Sequence, residues 1–171
     1  FPYTTLFRSR PAPGALLRTR EEVDRPDPAQ PVVQRTVNVL PIEQYLRGVV
    51  PREMPASWSD LGGGSGRNAL QAQAVAARSY SAAENRYSYA RTCDTTSCQV
   101  YAGRATWTTT AGIKVLEDAR ADAAIAATAG VVRSRDGQVT RTEFSSSTGG
   151  YTAGGTFPAV PDDGDDISSN P

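Results

Sequence analysis

VVRSRDGQVTRTEF, residues 131–144, is the stretch on which the fold class turns. Val131 to Arg135 and Gln138 to Phe144 read as two strands. Between them stand only Asp136 and Gly137, a pair that tolerates the positive φ angles of a type I′ turn. The spacing predicts a β-hairpin. The chain before it is largely helical in pattern, so strand, helices and hairpin together give a single α+β domain as the natural reading. No internal repeat is visible.

Upstream of the hairpin, Val115 to about Ala129 reads as a helix, with Gly130 placed to end it in the left-handed conformation. Earlier, the Ala-rich segment from Arg67 to about Tyr87 reads as a helix whose small side chains suit close packing. The run GGGSG at 62–66 reads as a flexible joint, with Ser65 as a candidate cap. A further helix begins at Pro41, which a first turn tolerates. Glu43 favours the positive helix start, and Ile42, Tyr45, Leu46 and Val49 fall at helical spacing. Pro51 is expected to end it. VVQRTVNVL, residues 32–40, reads as a strand.

The two ends carry other expectations. FPYTTLFRSR, residues 1–10, reads either as translated adapter sequence or as a flexible native terminus. Residues 11–31 hold Pro11, Pro13, Pro26, Pro28 and Pro31 among charges, a composition that cannot bury enough apolar surface to offset its ordering entropy. The expected division is therefore residues 1–31 without order and a domain over 32–171. From Tyr151 to Pro171 the chain is rich in Gly, Pro and Asp with no terminating element, so the domain is expected to be cut short there.

Composition narrows the chemistry. The chain has 171 residues, with 18 basic and 18 acidic side chains and no net charge. These charges are mixed along the sequence, which leaves no basic face suited to nucleic acid. There is no histidine, so the usual base of a Ser or Cys triad and the commonest transition-metal ligand are both missing. Chemistry here must use carboxylates, hydroxyls or thiols. No apolar run reaches the roughly 20 residues that span a bilayer.

Three features could carry function. In LPIEQYLRGVVPREMPASW, residues 40–58, Glu53 follows Pro51 among Val50, Met54 and Trp58. Partial desolvation disfavours a carboxylate anion, so such a glutamate can donate a proton to a leaving oxygen; read alone, it is more simply a solvated surface group, as most glutamates after a proline in a loop are. In FSSSTGGYT, residues 144–152, hydroxyls and exposed amides stand beside Tyr151, a mixture that suits pyranose rings and also suits a plain solvated turn. Cys93 and Cys98 are separated by four residues. A local disulfide, a zinc site built on two thiolates and two free buried thiols are all open readings, the first being preferred.

PIEQYLRGVVPREMPASW, ALQAQAVAARSYSAAENR, CDTTSCQVY, ATAGVV and FSSSTGGYT together resemble, in order, the successive motifs of the SpoIID/LytB family, from about Val32 to Thr152. The resemblance implies an α+β domain around a glycan-binding groove and a peptidoglycan lytic transglycosylase in which Glu53 is the acid and base. It implies that Arg78, Tyr101 and the loop of Ser145, Ser146, Ser147, Thr148, Gly149 and Tyr151 line that groove. It also implies an extracytoplasmic location and peptidoglycan glycan strands, particularly those stripped of stem peptides, as the partner, with no cofactor. The alternative within the same family is a non-catalytic enhancer of a cell-wall amidase. Some relatives carry a histidine at the position of Ser97 and can hold zinc between the cysteines; serine cannot replace an imidazole, so no metal is carried over.

Overall fold

The computed structural model describes residues 3–6, 17–18, 37–87, 90–94, 96–152, 154–155 and 158–165. Mixed helices and short antiparallel strand pairs make an α+β domain, in the order β1 (Tyr3–Leu6), β2 (Leu17–Arg18), β3 (Val37–Leu40), α1 (Ile42–Glu53), α2 (Arg67–Ala83), β4 (Ala105–Thr108), β5 (Gly112–Val115), α3 (Ala119–Ala127), β6 (Ser134–Arg135) and β7 (Gln138–Val139).

Three helices form the core. On α1, Tyr45, Leu46, Val49 and Val50 are buried on one face, the consequence of apolar residues recurring at helical spacing. That face packs on Leu70, Ala74 and Ala77 of α2, and on Ala121, Ala124 and Ile125 of α3. The alanines let the helix axes approach closely, while Leu46, Val49, Val50 and Leu70, all at 0% exposure, supply the apolar area. Each such side chain contributes about 1.5–3 kcal/mol relative to an exposed position.

Pro51 does not end α1. It lies inside the last turn, and the helix runs on to Glu53, with Met54 N–H donating to Val50 O at 3.0 Å. A proline this close to a helix end removes a single backbone bond, and its fixed φ is already helical. Glu53 is therefore the last residue of the helix, not a residue of the loop after it.

Other boundaries shift too. GGGSG is an ordered turn: Gly62–Gly64 is a 3₁₀ helix, and Ser65 Oγ donates to Gly62 O at 2.7 Å. Gly66, not Ser65, is the N-cap of α2, which ends at Ala83. The expected helix start at Val115 is instead the end of a hairpin in which Ala105 pairs with Val115 and Trp107 with Ile113. α3 begins after Asp118, whose carboxylate accepts from Arg120 N–H at 2.9 Å and caps the helix.

The hairpin at Asp136 and Gly137 is present, with φ of 52° and 76° at the turn; Gly130 has the expected left-handed φ of 74°, but α3 already ends at Ala127 with Thr128 as its C-cap, so Gly130 belongs to the turn that follows. The hairpin's strands are short, pairing Ser134 with Val139 and Arg135 with Gln138. They are short because the flanking residues bond elsewhere: Arg133 N–H donates to Ser79 Oγ at 2.8 Å, and Thr142 Oγ1 to Ala76 O at 2.7 Å. Those bonds dock the hairpin on α2.

Within residues 1–31, where no order was expected, Tyr3–Leu6 and Leu17–Arg18 are strands that pair antiparallel with Val37–Leu40. The rest of 1–31, with 32–36 and 166–171, lies outside the described residues. Among the described residues no helix is long and apolar enough to cross a membrane.

Candidate active site

The C-terminal end of α1 delivers Glu53, half-buried, into an open groove of about 500 Å³. One wall is the Thr96–Cys98 turn with Val100. The other is the segment Arg141, Glu143 and Phe144 that leaves the hairpin, and Tyr80 of α2 lies between the walls. The arrangement offers a carboxyl group, two hydroxyls at Thr96 and Ser97, and two aromatic rings. Tyr80 and Phe144 meet edge to face, with centroids 6.4 Å apart at 62°.

Glu53 is held through one oxygen. Val100 N–H donates to Oε1 at 2.7 Å, and among the described residues Oε2 takes no hydrogen bond. A chain of contacts fixes Val100. Cys93 and Cys98 form a disulfide with Cα atoms 5.6 Å apart, which closes the question the sequence left open and leaves no thiolate for a metal. Next to it Gln99, 1% exposed, accepts from the Tyr45 hydroxyl at 3.2 Å and donates to Ala77 O at 3.3 Å. The disulfide and Gln99 thus anchor the strip on both α1 and α2 just before Val100. Among the described residues, no group of three or more His, Cys, Asp or Glu side chains is arranged to hold a metal ion.

Two tyrosines stand behind the acid. Tyr101 stacks on Tyr45 with ring centroids 5.2 Å apart at 8°, against α1 at Gly48. A Cβ at position 48 would lie 2.6 Å from the Tyr101 ring, so only glycine admits this approach. Burial pushes the Tyr101 phenol up to about 12, with the Glu117 charge adding to it. Burial raises Tyr45 further still. Tyr101 is therefore a packing residue beside the site and does not line the groove around Glu53.

Arg78, expected in the groove, is 1% exposed and belongs to the core. Its guanidinium grips Glu43 through Nε at 2.9 Å and Nη2 at 2.8 Å, and donates to Ile125 O and Val131 O at 3.2 and 3.0 Å. It ties the start of α1 to the end of α3. A buried arginine needs every donor matched, and these elements supply the acceptors.

The loop after Phe144 is likewise organised around another group. Ser147 Oγ and Gly149 N–H donate to Asp165 Oδ2 at 2.9 and 3.0 Å, Thr148 N–H also donates to it, and Thr148 Oγ1 lies 3.0 Å from an oxygen of both Asp162 and Asp165. Ser145 Oγ donates to Ser147 O at 2.9 Å, Ser146 is exposed, and Tyr151 bridges to Pro161. The Ser147 and Thr148 hydroxyls are committed to Asp162 and Asp165, and none of Ser145 to Tyr151 lines the groove around Glu53. The residues that do, Tyr80, Arg141, Glu143 and Phe144, sit two positions from Arg78 or immediately before the serine loop. Proximity to those motifs was the available signal.

A model of the family described as SpoIID, stage II sporulation protein, matches residues 32–134, more than half of the chain. The amidase enhancer of Bacillus subtilis (strain 168) is 39% identical over 107 residues, which are 63% of this chain and 12% of that protein. The chain thus spans about an eighth of the length of that relative. No solved structure matches it.

Proposed function

This chain belongs to the SpoIID family of stage II sporulation proteins, and on that premise we propose that it acts on the cell wall as a peptidoglycan lytic transglycosylase. Glu53 serves as both acid and base. The observation that carries this reading is a groove carboxyl group anchored through Oε1 alone, with Oε2 left to a substrate.

The acid proton rides on Oε2, because Oε1 already accepts from Val100 N–H. Glu53 gives that proton to the glycosidic oxygen as positive charge builds at the anomeric carbon of N-acetylmuramic acid. As carboxylate it then accepts the proton of the same sugar's C6 hydroxyl, whose oxygen closes on the anomeric carbon. The product is a 1,6-anhydro sugar and no water is consumed. Internal attack needs no second carboxylate to activate water. Tyr80 and Phe144 offer aromatic surface to the sugar faces, and Thr96 and Ser97 offer hydroxyls to its polar edge. The Cys93–Cys98 disulfide supports an extracytoplasmic setting, where such bonds persist.

The printed name of the Bacillus subtilis relative favours a second reading, in which the groove binds glycan without cutting it and the protein assists a cell-wall amidase. Incubation with purified glycan strands, followed by mass spectrometry, separates the two. The lyase reading expects anhydro-muramyl ends that disappear in Glu53→Gln. Wild-type protein that binds strands and yields no such ends supports the enhancer instead.

A further inference from the structure

The lyase chemistry uses one carboxylate, yet the groove holds two. Glu53 enters it from the end of α1, and Glu143 from the segment that leaves the hairpin. Thr142, between Arg141 and Glu143, donates its hydroxyl to Ala76 O at 2.7 Å and so seats that segment on α2. Arg141 is braced in turn, its Cζ 4.5 Å from the Tyr80 ring centroid and its Nε 3.4 Å from the Glu84 carboxylate, which is 9% exposed. Glu143 is held loosely beside this fixed cation. Its side chain is 77% exposed, and Oε1 lies 3.5 Å from Arg141 Nη1, longer than a charge-assisted hydrogen bond. A carboxylate so exposed, paired at that distance, keeps lone pairs open to water.

Resting on the reading of Glu53 as an acid that cleaves glycan, we propose a second activity at the same site: hydrolysis of the same bond, with Glu143 as the base that activates water. Glu53 gives its proton to the glycosidic oxygen, which leaves with the electron pair of the broken bond. Water closes on the anomeric carbon through its oxygen, and Glu143 takes one of its protons. Solvent then restores both side chains, so one water is consumed for each bond cut and the product is a reducing muramic acid. Two carboxyl groups on separate walls, with water between base and sugar, are the arrangement of inverting hydrolysis. The anomeric carbon is thus contested between the sugar's own C6 oxygen and a water beside Glu143. Proximity favours the internal oxygen, which makes anhydro ends the major product and reducing ends the minor one.

End-group analysis tests this. Purified glycan strands are reduced with borohydride to silence existing ends, digested, and reduced again with borodeuteride, so that each new reducing muramic acid carries deuterium while anhydro ends stay unreacted. Mass spectrometry reads the ratio of deuterated to anhydro ends within one digest, which cancels any change in binding or in the amount of folded protein. The wild type should give both kinds of end, and Glu53→Gln should lose both. Glu143→Gln, at an exposed position, should lower the ratio by a factor on the order of 10². A second measurement needs no variant. Methanol added to the wild-type digest should be captured as a methyl muramoside, whose configuration cannot equilibrate, inverted relative to the bond cut. The proposal is overturned by anhydro ends without deuterated ends, by a ratio that Glu143→Gln leaves unchanged, by a methyl glycoside that is absent or of retained configuration, or by no new ends of either kind. Anhydro ends alone spare the lyase reading. Deuterated ends alone, lost in Glu143→Gln, sink the lyase reading and leave hydrolysis standing.

Discussion

Val100 N–H and Glu53 Oε1 meet at 2.7 Å across 47 residues of sequence, joining the end of the first helix to the strip that follows the disulfide. The candidate acid is thereby oriented by backbone that neither helix contributes.

Glu53→Gln should fold as the wild type does, since the amide oxygen still accepts from Val100 N–H. Formation of anhydro ends should fall by a factor on the order of 10² to 10⁴, because an amide cannot relay the proton. Thermal melting and mass spectrometry of products check the two halves. Activity that persists in a folded variant would assign the acid elsewhere.

Replacing both cysteines with serine should cost about 2 kcal/mol, the chain-entropy value for so small a ring. Its effect on cleavage should exceed what that stability loss explains, because the ring adjoins Gln99 and Val100. Denaturant midpoints compared with turnover at a temperature where both proteins are folded give the answer. Parallel losses would mean that the disulfide is structural only.

Glu43→Ala leaves the Arg78 guanidinium buried without its carboxylate and should cost about 3–5 kcal/mol. Arg78→Lys should not restore the contacts, since one ammonium cannot grip Glu43 through two nitrogens and still reach Ile125 O and Val131 O. Urea unfolding measures both. Normal stability with impaired glycan binding would return Arg78 to the groove.

Gly48→Ala drives a methyl group into the Tyr101 ring and should cost about 1–3 kcal/mol as an overpacked contact. Near-ultraviolet circular dichroism should report the disturbed Tyr45–Tyr101 stack. An unchanged spectrum and midpoint would show that the ring yields freely.

Stability should decline in alkali. The folded chain keeps the Tyr101 proton up to about 12, whereas the unfolded chain releases it near 10.0. Between those values the native state binds more protons, so unfolding free energy falls as pH rises; below them this group contributes no slope. Tyr45 adds to the same trend in the same direction. Urea unfolding at rising pH should show a shallower decline in Tyr101→Phe, and an identical decline would remove Tyr101 from the account.

Local signals carried much of the fold. The Asp136–Gly137 turn needs only its own two residues to be recognised, and the buried face of α1 follows from spacing alone. Val115 was misread because the helical pattern of the following alanines overlaps a strand whose partner, Ala105, is ten residues away. Pro51 reads as a stop, yet a helix tolerates proline where few bonds remain to be lost. Its motif puts Glu53 forward as a candidate, and the structure shows only that a groove lies beside it. Arg78 and the serine loop were singled out with it, but their positions depend on Glu43, Val131 and Asp165, partners 16 to 53 residues away that no local pattern announces. Nor does any local pattern join Arg141 to Tyr80, 61 residues away.

The groove is assembled from parts of unequal age in folding. The helical core needs nothing after Val131, whereas Arg141 must travel back across 61 residues to reach Tyr80. Closing that loop costs entropy which only the docked hairpin offsets, and such non-local closures are slow compared with helix formation. A chain emerging from its amino end thus acquires its hydrophobic core first and the second wall of its cleft last. Until the hairpin docks, Glu53 is a carboxyl group on an open surface, and the groove beside it exists only once Arg141, Glu143 and Phe144 are in place.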